Sequence, residues 1–222
     1  LILALVALEK HLSAIMIIGI VSVVMMYVGG TRPIFLVITI VLGAAAALYM
    51  IFGLGYEMER IDVWRDPIGV YTSGETYEGG ITGRDMAWQT VQSLYSIGSG
   101  GLMGQGLGNS RQKHLFLPEP QNDFIFAIVC EELGFIGAVL IIVLFALLVW
   151  RGFTIGMKAP DKFGMLIVAG LVFKVGFQVI LNIAVACDAF PNTGVSLPFF
   201  SSGGTALMIQ LAEMGVILSV SR

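Results

Sequence analysis

Long, nearly uncharged apolar runs constrain this chain more than any other feature of it. They are Leu12–Val28, Ile34–Phe52, a run ending at Trp150, Phe163–Ala186 and Thr205–Val220. A bilayer offers the backbone no hydrogen-bond partners, so such runs must be helices, and a crossing takes about 20 mostly apolar residues. Leu1–Leu8 is too short to span and reads as the tail of a truncated helix, in a chain that opens without Met or a basic leader. The expected fold is therefore all-α: a polytopic bundle of five spans and a stump. Composition agrees, with 57% hydrophobic and 12% charged residues where a soluble domain has about half and a quarter. A net charge of -3 gives no reason to expect a nucleic-acid partner.

The connectors orient the bundle. Arg32, Arg151, Lys158, Lys162 and Arg222 fall on one side if the spans alternate, which makes that side, and the C-terminus, cytoplasmic. The outer connector from about residue 53 to 122 then lies outside. It carries Glu57, Glu59, Asp62, Asp66, Glu75, Glu78, Asp85 and Glu119 against five basic residues. A second outer connector covers about residues 187–204. A structureless loop as long as the first would be unusual. Within it, Ala87, Trp88, Val91, Leu94 and Tyr95 recur at helical spacing, and Thr82 with Asp85 makes a capping pair. Such a helix could lie at the membrane surface or pack on the protein's own spans.

The run GSGGLMGQGLGNSRQK, Gly98–Lys113, lacks the spacing of a phosphate loop and no strand precedes it. One reading is a tight turn beside the membrane. The other joins Arg111 and Lys113 to free backbone N–H groups as a diphosphate site. In PNTGVSLPFFSSGGT, Pro191, Pro198 and the glycines forbid a helix, so this segment should cap or line a cleft on the outer side. Inside the spans, Lys174, Gln178 and Asn182 form a stripe at fourfold spacing, and Gln210 and Glu213 mark one face of the last run. Charges at mid-bilayer need partners, and Lys174 with Glu213 is the expected pair. It could fix packing or line a polar path. Cys130 and Cys187 show no metal spacing or disulfide framework, and each reads as a buried apolar cysteine.

Four acids crowd the approach to the third run: Glu119, Asp123, Glu131 and Glu132. Leu133–Trp150 is free of charge for 18 residues, long enough for most of a hydrocarbon core. Glu131 and Glu132 then sit near the outer boundary and anchor neighbouring loops. Asp123 is lifted towards the headgroups, and on spacing alone it is a helix N-cap before FIFAIV.

GLGNSRQK, LPEPQNDFIFAIVCEELGFIG and NIAVACDAFPNTGVSLPFFSSGGT together resemble the SEDS family, the FtsW/RodA/SpoVE group of bacterial cell-wall polymerases. The outer-loop signature stands at Pro118-Glu119, Asp123–Ala127 and Glu131–Gly134, and the Pro-x-Thr-Gly signature at Pro191–Gly204, with Thr193 and Ser201 inside it. The SRQK version and the terminal LAEMGVILSVSR are closer to the division and sporulation branch. The resemblance covers essentially the whole chain, and implies ten spans in the family with both ends cytoplasmic. On that reading, these 222 residues are the C-terminal part of a single membrane domain and are inactive alone.

The resemblance implies a glycosyltransferase of the bacterial cytoplasmic membrane that polymerises lipid II on its outer face. It maps the essential acid to Asp123, a general base for an inverting displacement at the anomeric carbon. Such a base typically contributes 10²–10⁴-fold. Arg111, Lys113 and Arg84 are the candidate cations for the leaving diphosphate, with Glu119 and Ser201 as further substrate contacts. A divalent cation, Mg or Mn, could do the same work. The implied partners are a class B penicillin-binding transpeptidase and other division proteins. Two other functions stay open. A lipid flippase would use the Lys174/Glu213 stripe and the broken outer loop, and a non-catalytic scaffold would recruit the transpeptidase.

Overall fold

The computed structural model describes residues 12–49, 58–76, 81–111 and 122–221. Lys113, Glu119 and the Leu1–Leu8 stump fall outside these residues. The described chain is all helix: α1 Leu12–Val28, α2 Pro33–Leu48, α3 Met58–Arg65, α4 Pro67–Ser73, α5 Gly83–Gly100, α6 Ile125–Met157, α7 Lys162–Ala186 and α8 Gly204–Val220. The only extended pairing among these residues is an isolated bridge between Thr76 and Thr82. Two helices, α6 and α7, are long and apolar enough to cross a membrane, and α1, α2 and α8 are shorter apolar helices. The five runs expected from the sequence are thus the five apolar helices.

The described residues form two compact units. One takes its residues from Leu1–Tyr56, Phe145–Gln178 and Gly204–Arg222. In it, α1 ends where Gly30 turns left-handed and Thr31 N–H bonds back to the Met26 carbonyl at 3.0 Å. Pro33 then opens α2, where its missing N–H costs nothing. Val168, Val172 and Ile217 form the buried core of this unit, with Val149, Leu171 and Met214 packed against them. Lys174 and Glu213 are joined as an ion pair, as the stripe predicted.

The second unit takes its residues from Glu57–Leu144 and Val179–Gly203. Here the described residues of the first long connector carry three helices, α3 to α5, so it is not structureless, as expected. Asp66 caps α4 by accepting from Gly69 N–H at 2.8 Å, and Gly74 closes that helix in the left-handed region. Thr82 caps α5 by accepting from Asp85 N–H at 3.2 Å, the pairing read from the sequence. Ala87 and Val91 pack on Val63. The buried face of α5 is otherwise small and polar, with Thr90, Ser93 and Ser96. Tyr95, expected on that face, is exposed. Ser93 Oγ donates to the Ala186 carbonyl at 2.8 Å and Ser96 Oγ to that of Ala127 at 3.2 Å, so α5 packs on the protein's own helices. Short hydroxyls let it approach closely and carry hydrogen bonds that Leu or Phe could not. Cys187 corrects a further expectation: Cys130 is buried, but Cys187 lies exposed in the turn after α7.

Helix α6 is interrupted at Gly134, whose φ of 68° and ψ of -169° are not helical. In an unbroken helix the carbonyls of Glu131 and Glu132 would accept from the N–H groups of Phe135 and Ile136. The glycine-rich segment after α5 partners all four groups instead. Gln105 and Gly106 donate to Glu131 and Glu132 at 2.9 and 3.0 Å, while Phe135 and Ile136 donate to Gly101 and Leu102 at 2.9 and 3.2 Å. The contact is possible only without side chains. A Cβ on Gly134 would lie 2.3 Å from Gly104 N, and one on Gly104 2.2 Å from the Glu132 carbonyl oxygen.

Gly134→Ala is therefore expected to destabilise the protein by about 3 kcal/mol, from a left-handed backbone and a clash against main chain that cannot yield. Gly98→Ala, an α5 position with open space around it, should stabilise by about 0.5–1 kcal/mol. Thermal melts of the detergent-solubilised protein compare the two.

Candidate active site

Asp123 lies in the turn just before α6. The carbonyl of Phe124 accepts from the N–H groups of Ala127 and Ile128, which places Asp123 one residue before the helix cap and not at it. Phe124 is the anchor. It is buried with Ile128 and Val185, and Phe190 packs against the cluster. A polar clamp completes the placement. Asn182, fully buried on α7, donates from Nδ2 to the Asp123 carbonyl at 2.7 Å and to the Val195 carbonyl at 2.8 Å. One amide thus ties the Asp123 turn to the second outer loop.

That loop closes around the turn. Ser201 Oγ donates to the Asn122 carbonyl at 2.7 Å and Ser202 Oγ to Asn122 Oδ1 at 2.8 Å. A Cβ at Gly194 would stand 3.5 Å from Asp123 Oδ2, so the loop backbone passes directly beside the carboxylate. Thr193 and Pro198 are buried within the loop and Pro191 is half-buried. The segment is free of helix from Pro191 to Gly203, as its prolines and glycines required.

The other acids and cations divide differently. Glu131 is 1% exposed and accepts from Ser110 Oγ at 2.5 Å, Ser96 Oγ at 3.1 Å and Arg111 N–H at 3.0 Å. It anchors the glycine-rich loop, as its position suggested. The expectation of free N–H groups in that loop is corrected. Those of Gly104, Gln105, Gly106 and Arg111 are already bonded to Gly100, Glu131 and Glu132. The tight-turn reading fits, and Arg111 offers only its exposed side chain. Arg84 lies with its guanidinium carbon 5.5 Å from the Tyr71 ring centre and 5.6 Å from that of Trp88, an aromatic seat for its charge. Gln178 Oε1 and Glu213 Oε2 are buried without protein partners. Among the described residues no three His, Cys, Asp or Glu side chains converge as a metal site.

A pocket of about 310 Å³ between α3, α5 and the second loop was not foreseen. Glu59, Arg60, Trp64, Asp85, Gln89, Asp188 and Asn192 are among its lining residues. Arg60 Nη1 donates to the Asn192 carbonyl at 3.0 Å, Trp64 Nε1 to the Asp188 carbonyl at 3.2 Å, and Asn192 Nδ2 to Gln89 Oε1 at 3.1 Å. Burial pushes the Asp188 carboxyl up to about 6. The mixture of charged and apolar residues in the short helix MERIDVWR, with its single Trp64, was the available signal.

Comparison with known proteins is consistent along the chain. A family model described as Cell cycle protein, covering FtsW, RodA and SpoVE, matches residues 1–222. Stage V sporulation protein E of Bacillus subtilis is 43% identical over 204 residues, which are 90% of this chain and 51% of that protein. A protein of Trichlorobacter lovleyi named probable peptidoglycan glycosyltransferase FtsW is 35% identical over 213 residues, 96% of this chain and 53% of that one. A solved structure described as "Structural coordination of polymerization and crosslinking by a peptidoglycan synthase complex" superposes with a TM-score of 0.72 at 25% identity, covering 100% of this chain and 58% of that one. The chain spans about half the length of these curated relatives.

Two outcomes are expected from the geometry. Glu131→Ala takes the carboxylate acceptor from the buried Ser110 hydroxyl and the Arg111 amide, leaves Ser96 only the Ala127 carbonyl, and should lower stability by about 3 kcal/mol, read as a shift in the thermal midpoint. Asp188 holds its proton more tightly folded than unfolded, so between about pH 4 and pH 6 its contribution to stability falls as pH rises. Asp188→Asn should therefore melt higher than the parent above pH 6, with the difference vanishing below pH 4.

Proposed function

Because the chain belongs to the FtsW/RodA/SpoVE family of cell cycle proteins, we propose that it carries the reaction site of a peptidoglycan glycosyltransferase, acting in cell division or sporulation. The substrate is lipid II, polymerised on the outer face of the bacterial cytoplasmic membrane with the C-terminus of the chain in the cytoplasm. The relatives' names support this reading, and one observation carries it. A half-buried carboxylate, Asp123, is held at a fixed place beside an open loop backbone by a buried amide and an aromatic anchor.

The chemistry follows from that placement. Asp123 accepts the proton of the attacking sugar hydroxyl as its oxygen bonds to the anomeric carbon and the lipid diphosphate leaves from the opposite face, with inversion. Asn182 and Ser201 act on the main chain and position the carboxylate without touching the sugar. Arg111 is the exposed cation for the leaving diphosphate, with Lys113 two residues further on. The partner is a class B penicillin-binding transpeptidase, a reading supported by the description of the superposing complex.

Full-length protein with its partner and lipid II tests this. Asp123→Ala should lower glycan product at least about 100-fold, and undiminished polymerisation by that variant overturns the assignment. A second reading, lipid translocation, draws on the Lys174–Glu213 pair with the unpartnered oxygens of Gln178 and Glu213. It requires lipid transfer in vesicles that is lost in Lys174→Met; transfer no faster than in protein-free vesicles removes it. A scaffold would support normal growth with Asp123→Ala.

A further inference from the structure

We infer that the glycine-rich loop Gly101–Gly108 is inserted in the outer leaflet as an apolar wedge, although it is no part of a span. Leu102, Met103 and Leu107 are 70%, 80% and 77% exposed. No charged side chain occurs between Asp85 and Arg111, so no charge in the loop opposes entry into lipid.

Position follows from the helix it docks on. The charge-free part of α6, Leu133–Trp150, is about 27 Å long at 1.5 Å per residue, slightly less than a hydrocarbon core of about 30 Å. To cross at all it must use its whole length, which puts Phe135 and Ile136 inside the hydrocarbon at its outer edge. Both are exposed on the helix, as is Leu140 one turn on. The N–H groups of Phe135 and Ile136 bond directly to the carbonyls of Gly101 and Leu102. The loop therefore shares their depth, and its apolar side chains continue the lipid-facing surface of the span.

Lipid rather than protein is the occupant because of the backbone. Irregular chain at membrane depth is tolerated only where its polar groups are satisfied internally. Here the carbonyls of Gly100, Gly101 and Leu102 and the N–H groups of Gly104, Gln105 and Gly106 all have main-chain partners. The side chains it exposes most are the apolar Leu102, Met103 and Leu107, while the Gln105 amide turns back to the Ser99 carbonyl at 3.4 Å. The groups of the loop nearest the span are therefore closed, and its depth beside Phe135 and Ile136 makes lipid the surrounding medium.

The test uses the full-length protein in phosphatidylcholine–phosphatidylglycerol vesicles, with Cys130→Ala and Cys187→Ser as background. An environment-sensitive fluorophore is placed at Met103→Cys, at Leu102→Cys and, as a water-exposed control on α4, at Thr72→Cys. The expected result is blue-shifted emission at 102 and 103, quenched by spin-labelled lipids at a depth of about 5–10 Å below the headgroup boundary, while the control is quenched by aqueous iodide. Iodide quenching at 102 and 103 equal to that at 72 overturns the proposal. So does protection that develops only when a transpeptidase partner is added, which would make the wedge a protein contact. The readout does not involve glycan synthesis, so it stands or falls apart from the proposed activity.

Discussion

Four main-chain groups at the break in α6 must find partners, and the placing of the glycine-rich loop follows from that need. A helix interrupted at the edge of a hydrocarbon core would leave two carbonyls and two N–H groups where water is scarce, at several kcal/mol each. The glycine-rich loop supplies all four bonds. It can do so only because Gly100, Gly104 and Gly134 leave the two backbones free to touch. Once the loop is docked there, α5 is fixed at one end and Arg111 at the other.

Glu131 turns that backbone contact into a side-chain lock. Its three acceptor bonds reach α5 through Ser96 and the end of the loop through Ser110 and the Arg111 amide. Charged acceptors in a low-dielectric setting hold such donors more strongly than neutral ones. Asn182 plays the matching part for the second loop, with its amide shared between the Asp123 and Val195 carbonyls. Buried polar groups thus fix both the glycine-rich loop and the Asp123 turn, and the packing of that turn falls to Phe124. That division suits a general base, whose carboxylate must stay accessible while its main chain stays still.

Much of this was legible in the residues. The five apolar runs gave the helices, because lipid leaves the backbone no other conformation, and Thr82 with Asp85 gave the start of α5 through a purely local rule. Asp123 was singled out from the motif that contains it, and Lys174 and Glu213 from the cost of charge at mid-span. Other readings failed for physical reasons. A run of glycines looks like a reservoir of free N–H groups until the segment it docks on is known, since a hydrogen bond between residues thirty apart leaves no periodicity. The buried face of α5 was misread because serine and threonine count as polar in any pattern, yet they bury well where a carbonyl waits for them.

The sequence by itself determined the class of the protein and the five apolar helices of its described residues. Each of these follows from local composition acting against a bilayer. Only the tertiary structure decided that Glu131 is a buried lock, that the kink at Gly134 is sealed by a distant loop, and that a pocket lies between α3, α5 and the second loop. Those outcomes depend on polar groups far apart in the chain meeting at hydrogen-bond distance. No local pattern encodes that meeting, because the energy that selects it exists only after the helices have packed.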